Sequence, residues 1–214
     1  CDCMLRFLFL IANSMKLYII AGEPSGDLHG SNLIKALKQQ QPNVECRAWG
    51  GDLMSAAGAN VVKHYRDLAF MGFVEVIRNI RTIMRNLTFC KNDILAFQPD
   101  ALVLIDYPGF NLRIAKWAKK QGIKVIYYIS PQIWAWHQSR VHAIRRDVDL
   151  MLVILPFEQA FYKQHGVVAQ YVGHPLLDAV QHIISEPASD VYPENTIALL
   201  PGSRTQEVRK ILPR

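Results

Sequence analysis

The chain has little cysteine for its 214 residues: four, at positions 1, 3, 46 and 90. Cys46 and Cys90 are too far apart for a metal-ligand pair, and Cys1 and Cys3 sit in an N-terminal tail. That excludes a disulfide framework and fits a reducing compartment. The chain also lacks an apolar run long enough to span a bilayer; the stretch 5–12 is too short and is not followed by an Ala-x-Ala cleavage site. Neither G-x-G-x-x-G nor the phosphate-loop lysine pattern occurs, which argues against the usual dinucleotide and P-loop sites. No repeat is visible, and no histidine/cysteine/carboxylate cluster has metal-ligand spacing. The basic residues are scattered apart from Arg78, Arg81 and Arg85, without the interleaved aromatics of a nucleic-acid strip. The excess of 24 basic over 18 acidic residues gives +6. It serves solubility, or it attracts anionic head groups or phosphorylated ligands.

What is present is a globular composition, 50% hydrophobic and 20% charged. Apolar runs of strand length fall at 17–21, 46–49, 61–65, 101–105, 125–129, 151–155, 170–172 and 196–200. Helical patterns fall at 28–40, 52–57, 73–97, 111–121, 137–146, 158–165 and 176–184. Several runs are apolar on both faces, as buried parallel strands are. Strands alternating with helices predict an α/β fold, a Rossmann-like parallel sheet with helices on both faces. Residues 1–14 read as an upstream or non-native tail and 15–185 as one domain. The proline-containing, aperiodic stretch 186–194 reads as a linker. A second domain begins at 195 and breaks off at 214, so the chain reads as a fragment.

In such sheets ligands sit at the carboxyl ends of strands, and the candidate residues fall there. The loop after the first strand carries Glu23, Ser25, Gly26 and Asp27. Ser25 or Asp27 either caps the following helix or, with the helix-start amides, faces a ligand. Asp106 ends the run 101–105, where a carboxylate is costly to bury unless paired or used. It either caps a helix or fixes the loop, or, the reading favoured by its strand-end place beside a Gly/Pro loop, serves as a general base, with Asn111 capping the next helix. Ser130, Gln132, Trp134 and Trp136 follow the next strand, the tryptophans either packing between elements or walling a sugar or lipid. His174 lies in another strand-end loop and by itself reads as structural. Gly202, Ser203 and Arg204 form a glycine loop suited to a diphosphate. Leu68, Phe70, Met71, Phe73 and Val74 are an apolar patch beside Arg78, Arg81 and Arg85, suited to an interfacial segment or an acyl chain.

The ordered segments AGEPSGD, FMGFVEV, IDYPGFN, SPQIWAW, LPFE, VGHP and LPGSR, which run through nearly all of 16–214, resemble the lipid-A-disaccharide synthase family. The resemblance implies the N-terminal half of a two-domain GT-B glycosyltransferase. It implies transfer from a UDP-2,3-diacylglucosamine donor to a 2,3-diacylglucosamine 1-phosphate acceptor, giving lipid A disaccharide 1-phosphate and UDP. No cofactor and no metal are implied, nor is a nucleic-acid partner. The implied setting is the cytoplasmic, anionic face of the inner membrane, with a homodimer of the full-length protein left open. It assigns Asp106 as the proposed base, Arg204 to the donor side, and Glu23 and Ser25 to the cleft. Gly109 departs from the pattern, since relatives often carry a second acidic residue there. The fragment alone is expected to be inactive. A UDP-sugar 2-epimerase of the same fold and a non-catalytic glycolipid-binding fragment are the rival readings.

Overall fold

In this computed structural model the described residues are 15–68, 80–135, 137–177, 180, 196, 197, 199 and 208–209. The chain divides into two compact units, Cys1–Pro175 and Leu176–Arg214. The first contains seven parallel strands: β1 Lys16–Ala21, β2 Glu45–Gly50, β3 Asn60–His64, β4 Ala101–Ile105, β5 Lys124–Tyr128, β6 Leu150–Val153 and β7 Ala169–Tyr171. Their order across the sheet is β3-β2-β1-β4-β5-β6-β7. The order runs outward in one direction from β1 and in the other from β4. The topological switch point therefore lies between those two strands, where doubly wound sheets open a ligand crevice.

Six described helices cover the sheet: α1 Pro24–Gln40, α2 Asp52–Ala56, α3 Ile80–Phe97, α4 Pro108–Lys120, α5 Val141–Asp147 and α6 Pro156–Gln164. The period of two along each strand divides the apolar residues between two cores. Tyr18, Ile20, Leu102 and Leu104 pack with α3, α4, α5 and α6 through Cys90, Ile94, Ile114, Ile144 and Tyr162. Leu17, Ile19, Val103 and Ile105 point the other way, onto Leu33, Ile34 and Leu37 of α1 and Met54 of α2.

All seven sequence-predicted strands before residue 196 are present, shifted by one residue or less at most ends. Three helices, α1, α4 and α6, start earlier than their apolar periodicity suggests, whereas α2 starts where expected and α5 later, at Val141. α1, α4 and α6 each have proline at their first positions. A proline there loses no intrahelical bond and already has a helical φ, so a residue that reads as loop is the first turn. The linker 186–194 and residues 202–204 lie outside the described residues; of the predicted strand 196–200, residues 196, 197 and 199 are described and none of them is in a strand.

Asp27 corrects the reading of the first loop. It sits in the first turn of α1, but α1 has no side-chain cap. The Asp27 carboxylate, on a residue 2% exposed, instead accepts hydrogen bonds from the amides of Gly51 (2.7 Å), Leu53 (3.1 Å) and Met54 (3.1 Å). It thus closes the amino end of α2 from a different helix, where its charge also complements the helix dipole. Asp27→Ala should strip three amides of their acceptor and cost on the order of 2–4 kcal/mol. That is a melting temperature lower by roughly 5–15 °C. Asp27→Asn, which retains one acceptor oxygen, should lose less in the same thermal melt.

Candidate active site

The loops after β1 and β4 meet at the switch point. Asp106 and Tyr107 follow β4 with φ of 44° and 47°, a left-handed pair that costs non-glycine residues on the order of 1–3 kcal/mol each. Three contacts hold it. The Asn111 amide donates to the carbonyls of Ile105 (3.2 Å) and Asp106 (2.7 Å). The Tyr127 hydroxyl, from the fully buried end of β5, donates to the same Asp106 carbonyl at 2.6 Å. The Tyr107 ring stacks on Phe110 at 5.7 Å and lies against Gly22, where a Cβ would come within 2.5 Å of the ring. Gly22 is therefore the position that lets the first loop close over the fourth. Asn111, expected to cap a helix, lies inside α4, is 0% exposed, and clamps the turn instead.

The turn directs Asp106 into a cavity of about 370 Å³ at the carboxyl ends of β4, β5 and β6. Pro108, Ile129–Ile133, Arg140, Ile154, Leu155 and Glu158 complete its lining. Ile129 and His137, at or beside this wall, also have positive φ, 65° and 56°. Of the five non-glycine residues with this conformation among the described residues, only Gln98 lies elsewhere. Strain gathered this way around one cavity is the pattern of a functional site.

Electrostatics mark the same place. Burial raises the Asp106 carboxyl above the ordinary carboxylate range, and the neighbouring charge of Glu23 raises it further, with the Tyr107 amide opposing. Glu23 acts on Tyr107 too, after burial, to hold its phenol above its usual value. Glu158, 1% exposed, is raised by burial, while its carboxylate accepts from the Leu155 amide at 3.1 Å. Ser130 shares a 2.6 Å hydrogen bond with Tyr162, whose phenol burial pushes up to about 12.

The expected site residues therefore separate. Asp106, Ser130 and Gln132 line one cavity, and Glu23 is electrostatically joined to it. Trp134 is half-buried and meets Phe157 edge-on at 5.0 Å. Ser25 is exposed at the start of α1. Gly26 serves packing, because a Cβ there would come 3.0 Å from that of Ala21 on β1. His174 is half-buried and influences His29 of α1, whose pKa is lowered first by burial and then by His174. Trp136, residues 202–204, residues 69–79 of the apolar patch and the Leu68 side chain lie outside the described residues. Arg81 and Arg85 are exposed on α3 on either side of Met84, itself 56% exposed. Gly109 is exposed, and a side chain there would meet nothing within 4 Å.

Arg140, Tyr127 and Glu158 were not foreseen as site residues. The LPFE segment was the only pointer to Glu158; Tyr127 reads as strand and Arg140 as helix surface. Among the described residues there is no group of three or more His, Cys, Asp or Glu able to hold a metal ion. Nor is any helix among them long and apolar enough to cross a membrane.

A family model, Lipid-A-disaccharide synthetase, matches residues 17–214. The chain belongs to the lipid-A-disaccharide synthetase family. Lipid-A-disaccharide synthase of Trichlorobacter lovleyi is 44% identical over 208 residues, which cover 95% of this chain and 54% of that protein. The Coxiella burnetii (strain Dugway 5J108-111) protein of the same name is 43% identical over 206 residues, covering 94% and 55%. The chain thus spans about half the length of the curated synthases it matches. The fold is also that of the crystal structure of UDP-GlcNAc 2-epimerase from Neisseria meningitidis bound to UDP-GlcNAc. There the TM-score is 0.55 at 12% identity, over 78% of this chain and 48% of the epimerase. That likeness is one of fold alone.

Proposed function

We propose that the chain is the acceptor-binding half of a lipid-A-disaccharide synthase. The full-length protein joins UDP-2,3-diacylglucosamine to 2,3-diacylglucosamine 1-phosphate, releasing UDP. The observation that carries this reading is Asp106: a carboxyl of raised proton affinity, held on a strained turn at the switch point and lining a cavity. As general base it takes the proton of the acceptor's 6-hydroxyl. The freed oxygen pair forms the new bond to the donor's anomeric carbon. The bond from that carbon to the diphosphate oxygen breaks, and UDP departs with its electron pair, inverting the centre. Arg204, which the resemblance assigns to the donor side, offsets the charge developing on the diphosphate. Glu23, across the switch point, keeps Asp106 basic enough to accept a proton.

The exposed run Arg81, Met84 and Arg85 occupies one face of α3 at i, i+3 and i+4. It supports the reading that this helix and the apolar residues before it rest on an anionic membrane surface, at the cytoplasmic side where a UDP-sugar is available. The test is incubation of the full-length protein with both glycolipids and mass spectrometry of the products. The disaccharide 1-phosphate with one equivalent of UDP is expected. Conversion of the UDP-sugar to its 2-epimer without disaccharide would reject the reading in favour of the epimerase. Residues 1–214 alone, which span about half the length of the matched synthases, should give no disaccharide.

A further inference from the structure

Arg140 is the one cationic side chain lining the Asp106 cavity among the described residues. It ends a single turn of 3₁₀ helix, Gln138–Arg140, and leads directly into α5. That turn is fixed: the Arg140 amide donates to the His137 carbonyl at 3.0 Å, and Val141 and Ile144 anchor α5 in the core. The side chain is half-buried, yet no carboxylate lies within ion-pair distance among the described residues. Arg47, also half-buried, differs: it holds Asp93 with two hydrogen bonds, 2.6 and 2.9 Å. The two carboxyl groups of the cavity do not supply such a partner. Glu158 is turned onto the Leu155 amide, and Asp106 has no ion pair among the described residues. The charge of Arg140 nonetheless reaches the Tyr127 hydroxyl, which touches the Asp106 carbonyl.

A guanidinium drawn partly out of water without a counter-charge is costly, and a bound anion offsets that cost. Its planar fork fits two oxygens of a phosphate. We infer that Arg140 is the anion-binding residue of this cavity and takes the phosphate monoester on the anomeric carbon of the acceptor sugar. The inference rests on the function proposed above, and it adds a division of labour within one cavity. Asp106 handles the hydroxyl at one end of the hexose, and Arg140 fixes the other end by its charge. Gln132, exposed on the same lining, offers a neutral amide.

The test compares native full-length enzyme with Arg140→Ala and Arg140→Lys, using acceptor with and without its anomeric phosphate. The native enzyme should prefer the phosphorylated acceptor. Arg140→Ala should lose about 10- to 100-fold in kcat/KM on it, chiefly through KM, so that the preference collapses toward one. Arg140→Lys should recover part of it. Titration calorimetry with glucosamine 1-phosphate against glucosamine reads the same site without turnover. If no disaccharide forms from any acceptor, the functional reading fails while the titration still decides Arg140. Native-like preference for the phosphorylated acceptor in Arg140→Ala overturns the inference. So does a loss confined to binding of phosphatidylglycerol vesicles, which would mean that the arginine serves lipid head groups. If the alanine variant does not fold, Arg140→Gln replaces it in both assays.

Discussion

Asp106→Asn should lower kcat of the full-length enzyme by about 10²- to 10⁴-fold, the usual worth of a general base, with both glycolipids still bound. The same group should set the acid limb of the rate profile. A base works only when deprotonated, so kcat/KM should fall as pH drops through the Asp106 pKa. That pKa is held above the ordinary carboxylate range by burial and then by Glu23. Glu23→Gln removes the neighbouring negative charge, so the acid limb should move to lower pH. An unmoved limb would separate Glu23 from the base. Stability should run the opposite way. A carboxyl raised on folding binds more protons in the folded than in the unfolded protein across the window between its ordinary and raised values. Its contribution is therefore most favourable below that window and declines as pH rises through it. Asp106→Asn, neutral throughout, should melt no lower than the native enzyme at neutral pH and should flatten that decline. Thermal melts across the acidic range measure this directly. An enzyme that keeps near-native turnover as Asp106→Asn would remove Asp106 from the chemistry.

Asn111→Ala should reduce kcat by about 10- to 100-fold while KM changes little, since small misplacement of a reacting group costs on that scale. Asn111 is a positioning residue. It touches neither the cavity nor, on this reading, the substrate, yet both of its amide hydrogen bonds hold the carbonyls that fix the Asp106 turn. The loss of two buried donors should also cost about 1–3 kcal/mol in stability. Two further variants distinguish aiming from mere packing. Asn111→Asp keeps the volume but, when ionised, presents only acceptors to two carbonyl oxygens. It should be no better than alanine in kcat. A packing role would rank it above alanine. Tyr127→Phe keeps the ring in the core and removes the second donor to the Asp106 carbonyl, so it should lower kcat in the same sense. Because the two donors share one acceptor, their effects should not add.

Several of these residues can be read in the sequence only by type. Asp106 was legible as a site residue because five apolar residues precede it and a Pro-Gly loop follows, and that local pattern alone puts a carboxylate at a strand end. The segment around it is one of the seven ordered motifs that together carry the family resemblance. The partner of Asp27 was not legible, because the amides it serves lie 24 to 27 residues along the chain. Asn111 looked like a cap because it follows Pro108 and Gly109, and only the proline's place in the first helical turn moved it inside α4. Arg140 belongs to a run of polar residues whose spacing gives no sign of which one turns inward.

The sequence by itself determined the seven strands, the apolar runs that give the central ones two buried faces, and the carboxylate at the end of β4. These depend on hydrophobic periods that repeat within a few residues and are carried by the chain wherever it goes. Only the tertiary structure decided that β1 and β4 are neighbours. From this follow the coupling of Glu23 to Asp106 and the closure of Tyr107 on Gly22, while the pairing of β4 with β5 and β5 with β6 gathers the cavity that Arg140 and Glu158 line. The physical reason is that the strand order and the left-handed turn are set by contacts between distant segments, and no local pattern encodes which strand will lie beside which.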